Sequence, residues 1–408
     1  MSNVLSVDGI RAAFPALQRT HGGHPVAYFD GPGGTQVPQV VVDAMADYLL
    51  HHNANTAWAY PTSEESDALL FDARQVMAAF VNGAPEEIVF GNNMTTITFH
   101  LARGLAHAWR AGDEIVVTEL DHHANVAPWQ AVAAERGLRL RWLALDTSTG
   151  QSRLDQLPAL LNDRTRLLAI GAASNALGTV TDVAAAAALA HEAGALVFVD
   201  GVHYAPHVLP DVVALGCDFF ACSPYKFYGP HTGMLWGRRA LLDAVAVPKL
   251  DPAPAESPER LETGTQNHEG IVGAAAAVRW LASLAGSGGE LRASLALSYH
   301  VLHQRQSALF KRLWQGIGAI PAATRYGPDA DARRTGTLAL SLRGRNARAV
   351  TIALAEEGCF VSHGDFYATT VAERLGMADE GLVRIGVAAY TTESEVDRVV
   401  AGIARLAD

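Results

Sequence analysis

The run ALVFVDGVHYAPHVLPDVVALGCDFFACSPYKFYGP, Ala195–Pro230, holds two short β-rich segments separated by a helical one. Ala195–Asp200 and Asp218–Cys222 are apolar except at their ends, the pattern of strands buried on both faces of a parallel sheet. The first ends on a carboxylate, Asp200, and the second leads through Ser223 and Tyr225 to Lys226. The interval from Asp200 to Lys226 suits one right-handed crossover, which sets both residues at the ends of neighbouring strands.

Outward from this pair the same alternation continues, and from about Val26 to Gly237 it predicts an open α/β sheet. Further strands are expected at Glu87–Gly91, Glu114–Thr118, Arg166–Ala172 and Met234–Gly237, with helices at Thr95–Trp109, Trp129–Arg136 and Val183–Ala193. Pro248–Glu259, rich in Pro, Asp and Glu, reads as an exposed loop. A helical pattern covers Gly270–Ala285 and resumes over Glu290–Gly316. A new αβ unit follows: strand Leu338–Leu342, helix Ala347–Glu357, strand Leu382–Gly386 and helix Glu393–Leu406. The expected division is a large domain over residues 20–285 and a small one formed by residues 1–19 with 286–408.

Composition narrows the functional classes. The 408 residues are 49% hydrophobic and 18% charged, ordinary for a soluble globular protein. A formal net charge of −11 argues against nucleic acid or an anionic membrane as partner. The apolar stretches Ala184–Ala195 and Gly273–Ala285 are too short to cross a bilayer and read as alanine-rich helices packed against a sheet. Met1–Leu17 carries Asp8 and Arg11 and so lacks a signal-peptide core. Three cysteines without CxxC spacing suggest neither a disulfide framework nor a zinc site, and a cytoplasmic setting is expected.

Five expected strands end in polar clusters: Asn92–Thr96, Asp121–Asn125, Ser174–Asn175, Asp200–His203 and Ser223–Lys226. Ligands of open α/β sheets bind beyond the carboxyl ends of the strands. A lysine traps a carbonyl only when its amine is partly neutral, which needs a poorly solvated pocket, and Lys226 is flanked by Tyr225, Phe227 and Tyr228. A strand-end carboxylate such as Asp200 needs a cationic partner. A lysine Schiff base with an Asp beside the pyridinium nitrogen is the way proteins hold pyridoxal phosphate (PLP), so Lys226 and Asp200 point to that cofactor. Met94 and Thr95, at the start of an apolar helix, supply N–H groups and a hydroxyl for its phosphate.

Together these motifs resemble the class V branch of fold-type I PLP enzymes, and cysteine-desulfurase-like proteins in particular, over Tyr28–Ala407. Asp121–Trp129 is similar to the family's HHAN-x-x-PW element, which implies that His123 stacks on the cofactor ring. Ser174–Thr179 is similar to SN-x-x-G, placing Asn175 beside cofactor and substrate. Tyr225–Pro230 is similar to the lysine motif H-K-x-x-G-P, with Tyr225 replacing histidine, and Ser223 joins the cofactor set. Glu262–Asn267 is similar to E-x-G-T-x-N, which implies that Gly264 and Thr265 serve the phosphate of a neighbouring subunit in a homodimer with shared sites. Val383–Ile385 and Ala389–Thr391 are similar to the family's late segment, implying that Arg384 holds the substrate carboxylate. The resemblance thus implies a PLP enzyme with a mainly parallel sheet in a large domain and a smaller C-terminal αβ domain.

Two departures bear on the reaction. His203 stands where the family has glutamine near the cofactor's phenolic oxygen. In Val361–Ala368 the desulfurases carry a reactive cysteine, whereas this chain aligns Tyr367 there, and Ser362 replaces a basic residue. Cys359 reads as a small core residue. The expected activity is Cα deprotonation of an amino acid, with C–S β-elimination ahead of amino transfer or epimerisation. A catalytically idle binding protein would have no use for Lys226, Asp200, His123 and Arg384 together. Asp30–Thr35 lacks the glycine spacing of a dinucleotide loop and reads as a substrate-facing loop. No histidine group has ligand spacing, so no metal is expected.

Overall fold

Seven strands form the larger sheet: β1 (Ile88–Gly91), β2 (Glu114–Thr118), β3 (Arg139–Leu143), β4 (Thr165–Gly171), β5 (Leu196–Asp200), β6 (Phe219–Cys222) and β7 (Gly233–Gly237). The computed structural model describes residues 6–284, 286 and 289–407, so Met1–Leu5 and Ala285 of the segments named above lie outside the described residues. The strand order is β1-β7-β6-β5-β4-β2-β3, and only β7 runs antiparallel to its neighbours. Asp200 pairs with Ala221 across β5 and β6, so the crossover expected between Asp200 and Lys226 is present.

The inner strands are buried along nearly their whole length, which is why they read as apolar runs. Strand β3 was not legible. It is an edge strand carrying Arg139, Arg141 and the exposed Trp142, and it offers no apolar run. One face of the sheet is covered by α3 (Met94–Ala106) and α4 (Ala127–Arg136). The other packs with α2 (Pro61–Val81), α5 (Val183–Glu192) and α6 (His268–Ser283). Of the two alanine-rich stretches, α5 makes the larger contact with the strands. Helix α6 shares the core of that face but packs mainly among α1 (Gln39–Asp47), α2 and α7 (Leu291–Gly318), because its small residues let helices approach closely. A Cβ on Gly273 would stand 2.7 Å from Met45.

A second sheet, order β8-β9-β11-β10, is antiparallel and joins β8 (Ala323–Tyr326), β9 (Thr337–Leu342), β10 (Ser362–Gly364) and β11 (Leu382–Gly386). Helices α8 (Ala347–Glu356) and α9 (Glu393–Ala407) share its core. At the N-terminus the cores divide opposite to expectation. Ile10 and Phe14 pack into the core of the large sheet, whereas Ala27 and Phe29 join the core of the small one. The cause is a short parallel pairing of Ala27–Tyr28 with Cys359–Phe360. Pro248–Lys249 and most of the loop after them are exposed, as read. Among the described residues no helix is long and apolar enough to cross a membrane.

Strands β5 and β6 can approach only because residue 201 has no side chain. A Cβ on Gly201 would lie 1.9 Å from the ring of the fully buried Phe220. Gly201→Ala should therefore cost roughly 1–3 kcal/mol, as overpacked cores do. Denaturant unfolding checks this, and an unchanged midpoint would mean that the two strands separate freely.

Candidate active site

The polar residues that follow β1, β2, β4, β5 and β6 converge on one cavity of about 600 Å³. All five strand ends singled out from sequence contribute, including Asn175, Asp200, His203, Ser223 and Lys226. Its base is acidic. Asp200 is buried, and among the described residues the one donor to its carboxylate is the Val202 N–H, 2.9 Å from Oδ1. Burial pushes its pKa up to about 6 against the pull of Lys226. Beside it Asp121 accepts from the Gly171 N–H and from Asn125 Nδ2, and burial raises its pKa to about 7. Asp121 was not selected from sequence as a site residue, because an aspartate before a turn reads as a cap. A carboxylate with a free oxygen at the base of a dry cavity calls for a cationic N–H, which a pyridinium ring provides.

Lys226 enters from the short helical turn Pro224–Lys226 that follows β6. Its Nζ donates to Pro32 O at 2.6 Å and Gly33 O at 3.0 Å, so the glycine-rich loop lies directly on the amine. Burial first, then the nearby Arg384, lowers its pKa to about 7, with Asp200 and Asp30 opposing. An amine of this kind is half neutral at physiological pH, the state a carbonyl-trapping nucleophile requires. Tyr225 stacks on His231 with ring centroids 4.9 Å apart, and Lys226 Nζ lies 4.9 Å from the Tyr225 ring.

The opposite corner is built for an anion. Helix α3 starts there, capped by Asn93, whose Oδ1 accepts from the Thr96 N–H at 2.9 Å. The Met94 N–H donates to Ser223 Oγ at 3.0 Å, which leaves the serine proton available. With Thr95 alongside, this is a phosphate cradle of helix N–H groups and hydroxyls. His203, in the same cavity, is nearly inaccessible. Its Nε2 lies 3.1 Å from Thr335 Oγ1 and 3.0 Å from Thr337 Oγ1, and its Nδ1 is buried without a protein partner. Burial holds the ring neutral, well below the usual histidine range. Acidic base, neutral lysine, anion cradle and orphaned Nδ1 match the ring nitrogen, aldehyde, phosphate and phenolic oxygen of PLP.

A second chamber, also about 600 Å³, opens in front of Lys226 and is shared with Asn175 and Arg384. Arg384 stands on β11; its Nη1 donates to Asn175 O at 3.0 Å and its Nη2 to Ser362 Oγ at 3.2 Å. Its Nε is buried with no partner, and so is Asn175 Oδ1. The Phe366 ring covers the guanidinium at 4.1 Å. Phe366 and Tyr367 both have left-handed backbone, φ 58° and 57°. Each costs ~1–2 kcal/mol for a residue with a side chain. Three hydrogen bonds hold them there: Asn175 Nδ2 to Phe366 O, His123 N–H to Tyr367 O, and Tyr367 N–H to Asp365 Oδ1.

One sequence expectation changes. His123 faces only the outer chamber, and it is His122 that borders both the cavity and the chamber. Neighbouring residues of a tight turn point in different directions, and a repeated histidine leaves that choice open to sequence. His122 Nδ1 accepts from the Ala124 N–H at 3.0 Å, and burial lowers its pKa to about 4, so it is a neutral ring with its proton on Nε2. Gly264 and Thr265 are exposed and lie outside the cavity of their own chain. They border a groove with Phe71 and Leu250, both exposed apolar side chains.

The profile of the family Aminotransferase class-V matches residues 27–399. The chain is 36% identical to a cysteine desulfurase of Klebsiella pneumoniae (strain 342), covering 98% of each. It is 33% identical to one of Dickeya dadantii (strain 3937), covering 98% of this chain and 96% of that one. Among solved structures it is similar to the cysteine desulfurase CsdA of Escherichia coli, with TM-score 0.86, 29% identity and coverage of 99% and 98%. The cysteine desulfurase of Thermococcus onnurineus NA1 superposes with TM-score 0.89 at 26% identity, over 100% and 99% of the chains. With this match over nearly the whole chain, the chain belongs to the class V aminotransferase family and is a PLP-dependent enzyme of the fold-type I architecture.

Proposed function

We propose that this enzyme is a C–S β-lyase that cleaves a cysteine-type amino acid without forming a protein persulfide. The observation that carries this reading is the position of the three cysteines. Cys217, Cys222 and Cys359 are all buried, and none borders the cavity or the chamber. Burial raises all three thiol pKa values, that of Cys217 to about 12. A sulfur acceptor must be an accessible thiolate. The mouth of the chamber instead holds Tyr367, whose phenol is a poor nucleophile toward sulfur beside a thiolate.

The residues divide the work as follows. Lys226 would hold the cofactor, Asp200 would face its ring nitrogen, and Met94, Thr95 and Ser223 would cradle its phosphate. Bound PLP supplies an electron-withdrawing ring that stabilises negative charge at the substrate Cα. Arg384, whose guanidinium is fixed by Asn175 O and Ser362 Oγ at the border of the chamber, would hold the substrate carboxylate. The neutral Lys226 amine takes the Cα proton. His122, rather than His123, borders both the cavity and the chamber, so its ring would lie against the bound cofactor and its Nε2–H would protonate the departing sulfur. Substrate and one water then give pyruvate, ammonia and a free thiol or sulfide.

We further propose a homodimer. Thr265 is exposed on its own chain, and the groove it borders continues into the exposed Phe71 and Leu250, apolar surface that a partner would cover. Thr265 would there complete the partner's phosphate site.

Two experiments follow. Replacing all three cysteines by alanine should leave pyruvate release from cysteine at a comparable rate, and mass spectrometry of the wild type after a single turnover should show no persulfide. A persulfide on Cys359, with activity lost in Cys359→Ala, would instead make the enzyme a desulfurase. The second concerns Lys226, whose lowered pKa means that the unprotonated amine predominates above about 7. The rate at which the apoenzyme takes up PLP should therefore rise with pH through about 7. A midpoint near ~10.4, that of an ordinary lysine, would contradict the dry cavity.

A further inference from the structure

The outer chamber has a character that C–S cleavage alone does not require. It is bordered by four aromatic side chains, Phe99, Tyr225, Phe366 and Tyr367, and by the His122, His123 and His363 rings. Among the described residues no carboxylate borders it, and its lysine and arginine, Lys226 and Arg384, are already engaged in the proposed reaction. Its volume of about 600 Å³ far exceeds what the thiol of cysteine would fill.

Tyr367 is the telling residue. It is 72% exposed, yet its ring stacks on His122 with centroids 5.5 Å apart and planes 26° from parallel. Two consecutive residues in left-handed backbone, secured by hydrogen bonds from Asn175 and His123, hold it at the mouth. Backbone strain that the surroundings maintain marks positions with a purpose beyond folding. An aromatic face fixed over the entrance, with Phe366 below it on Arg384, offers stacking surface to a planar apolar group.

We propose that the substrate is an amino acid with a large aromatic β-substituent, of the class of S-aryl cysteine conjugates, whose ring lies between Tyr367 and Phe366. This rests on the reading of the chamber as the amino-acid site. The carboxylate goes to Arg384, Cα stands at Lys226, and the aryl group points outward along the aromatic wall. Cationic side chains find no counter-charge there, and small ones leave the wall uncovered.

The test is binding to the holoenzyme, read from the change in cofactor absorbance in rapid-mixing titrations. The ligands are S-phenyl-L-cysteine, L-phenylalanine, L-alanine and L-lysine. The two aromatic ligands should bind roughly tenfold or more tightly than alanine, and lysine should bind most weakly. Tyr367→Phe should keep the preference, and Tyr367→Ala should reduce it to within about threefold of alanine. Equal affinities across the panel, or a full preference surviving in Tyr367→Ala, would overturn the assignment. Product analysis separates the two readings. Tight aromatic binding without release of pyruvate and thiophenol from S-phenyl-L-cysteine would keep the aromatic site and overturn the lyase. Pyruvate from cysteine with no aromatic preference would do the reverse.

Discussion

The architecture turns on the burial of unlike charges in one dry cavity without a direct bond between them. Lys226 hydrogen-bonds to the backbone of Pro32 and Gly33, and Asp200 to the backbone of Val202. Each is displaced from its ordinary ionisation by burial, the lysine downward and the carboxylate upward. Such an arrangement is costly for an empty protein, because each group feels the other's charge but, among the described residues, neither forms a salt bridge. It becomes favourable when a ligand brings a cationic N–H to one end and an electrophilic carbon to the other. PLP does both, so the same feature explains affinity and reactivity.

Much else in the fold serves to hold those two residues apart at a fixed separation. Strands β5 and β6 are parallel neighbours, closely packed because Gly201 makes room for Phe220. The glycine-rich loop then seals the amine from the other side. Its residues 33 and 34 come within 3.4 Å of Arg384 and 3.2 Å of Tyr225 respectively, measured from where a Cβ would stand. Larger side chains there would displace two residues that border the outer chamber. The small sheet contributes Arg384 from β11, so the chamber is assembled from both sheets.

The sequence exposed this organisation where physical constraint left a linear trace. Buried strands read as apolar runs, and the Asp200–Lys226 interval fitted one crossover. The edge strand β3 left no such trace, and the N-terminal segment changed cores through a pairing with Cys359–Phe360 that no local pattern announces. The site was legible to the extent that its residues sit at strand ends. Choosing between His122 and His123 needed the turn geometry. The parts played by Pro32, Gly33 and Phe366 depend on backbone oxygens and on a left-handed loop, and side-chain identity reports neither. Asp121 was visible but indistinguishable from a capping residue.

The central claim, that Lys226 is the covalent anchor for PLP opposite Asp200, has one direct test. The purified enzyme is reduced with borohydride, digested, and its peptides are mapped by mass spectrometry. A phosphopyridoxyl group on Lys226, absent from every other lysine and lost in Lys226→Ala, is the predicted result. The same modification on a different lysine, or a reducible cofactor adduct that persists in Lys226→Ala, would contradict the account.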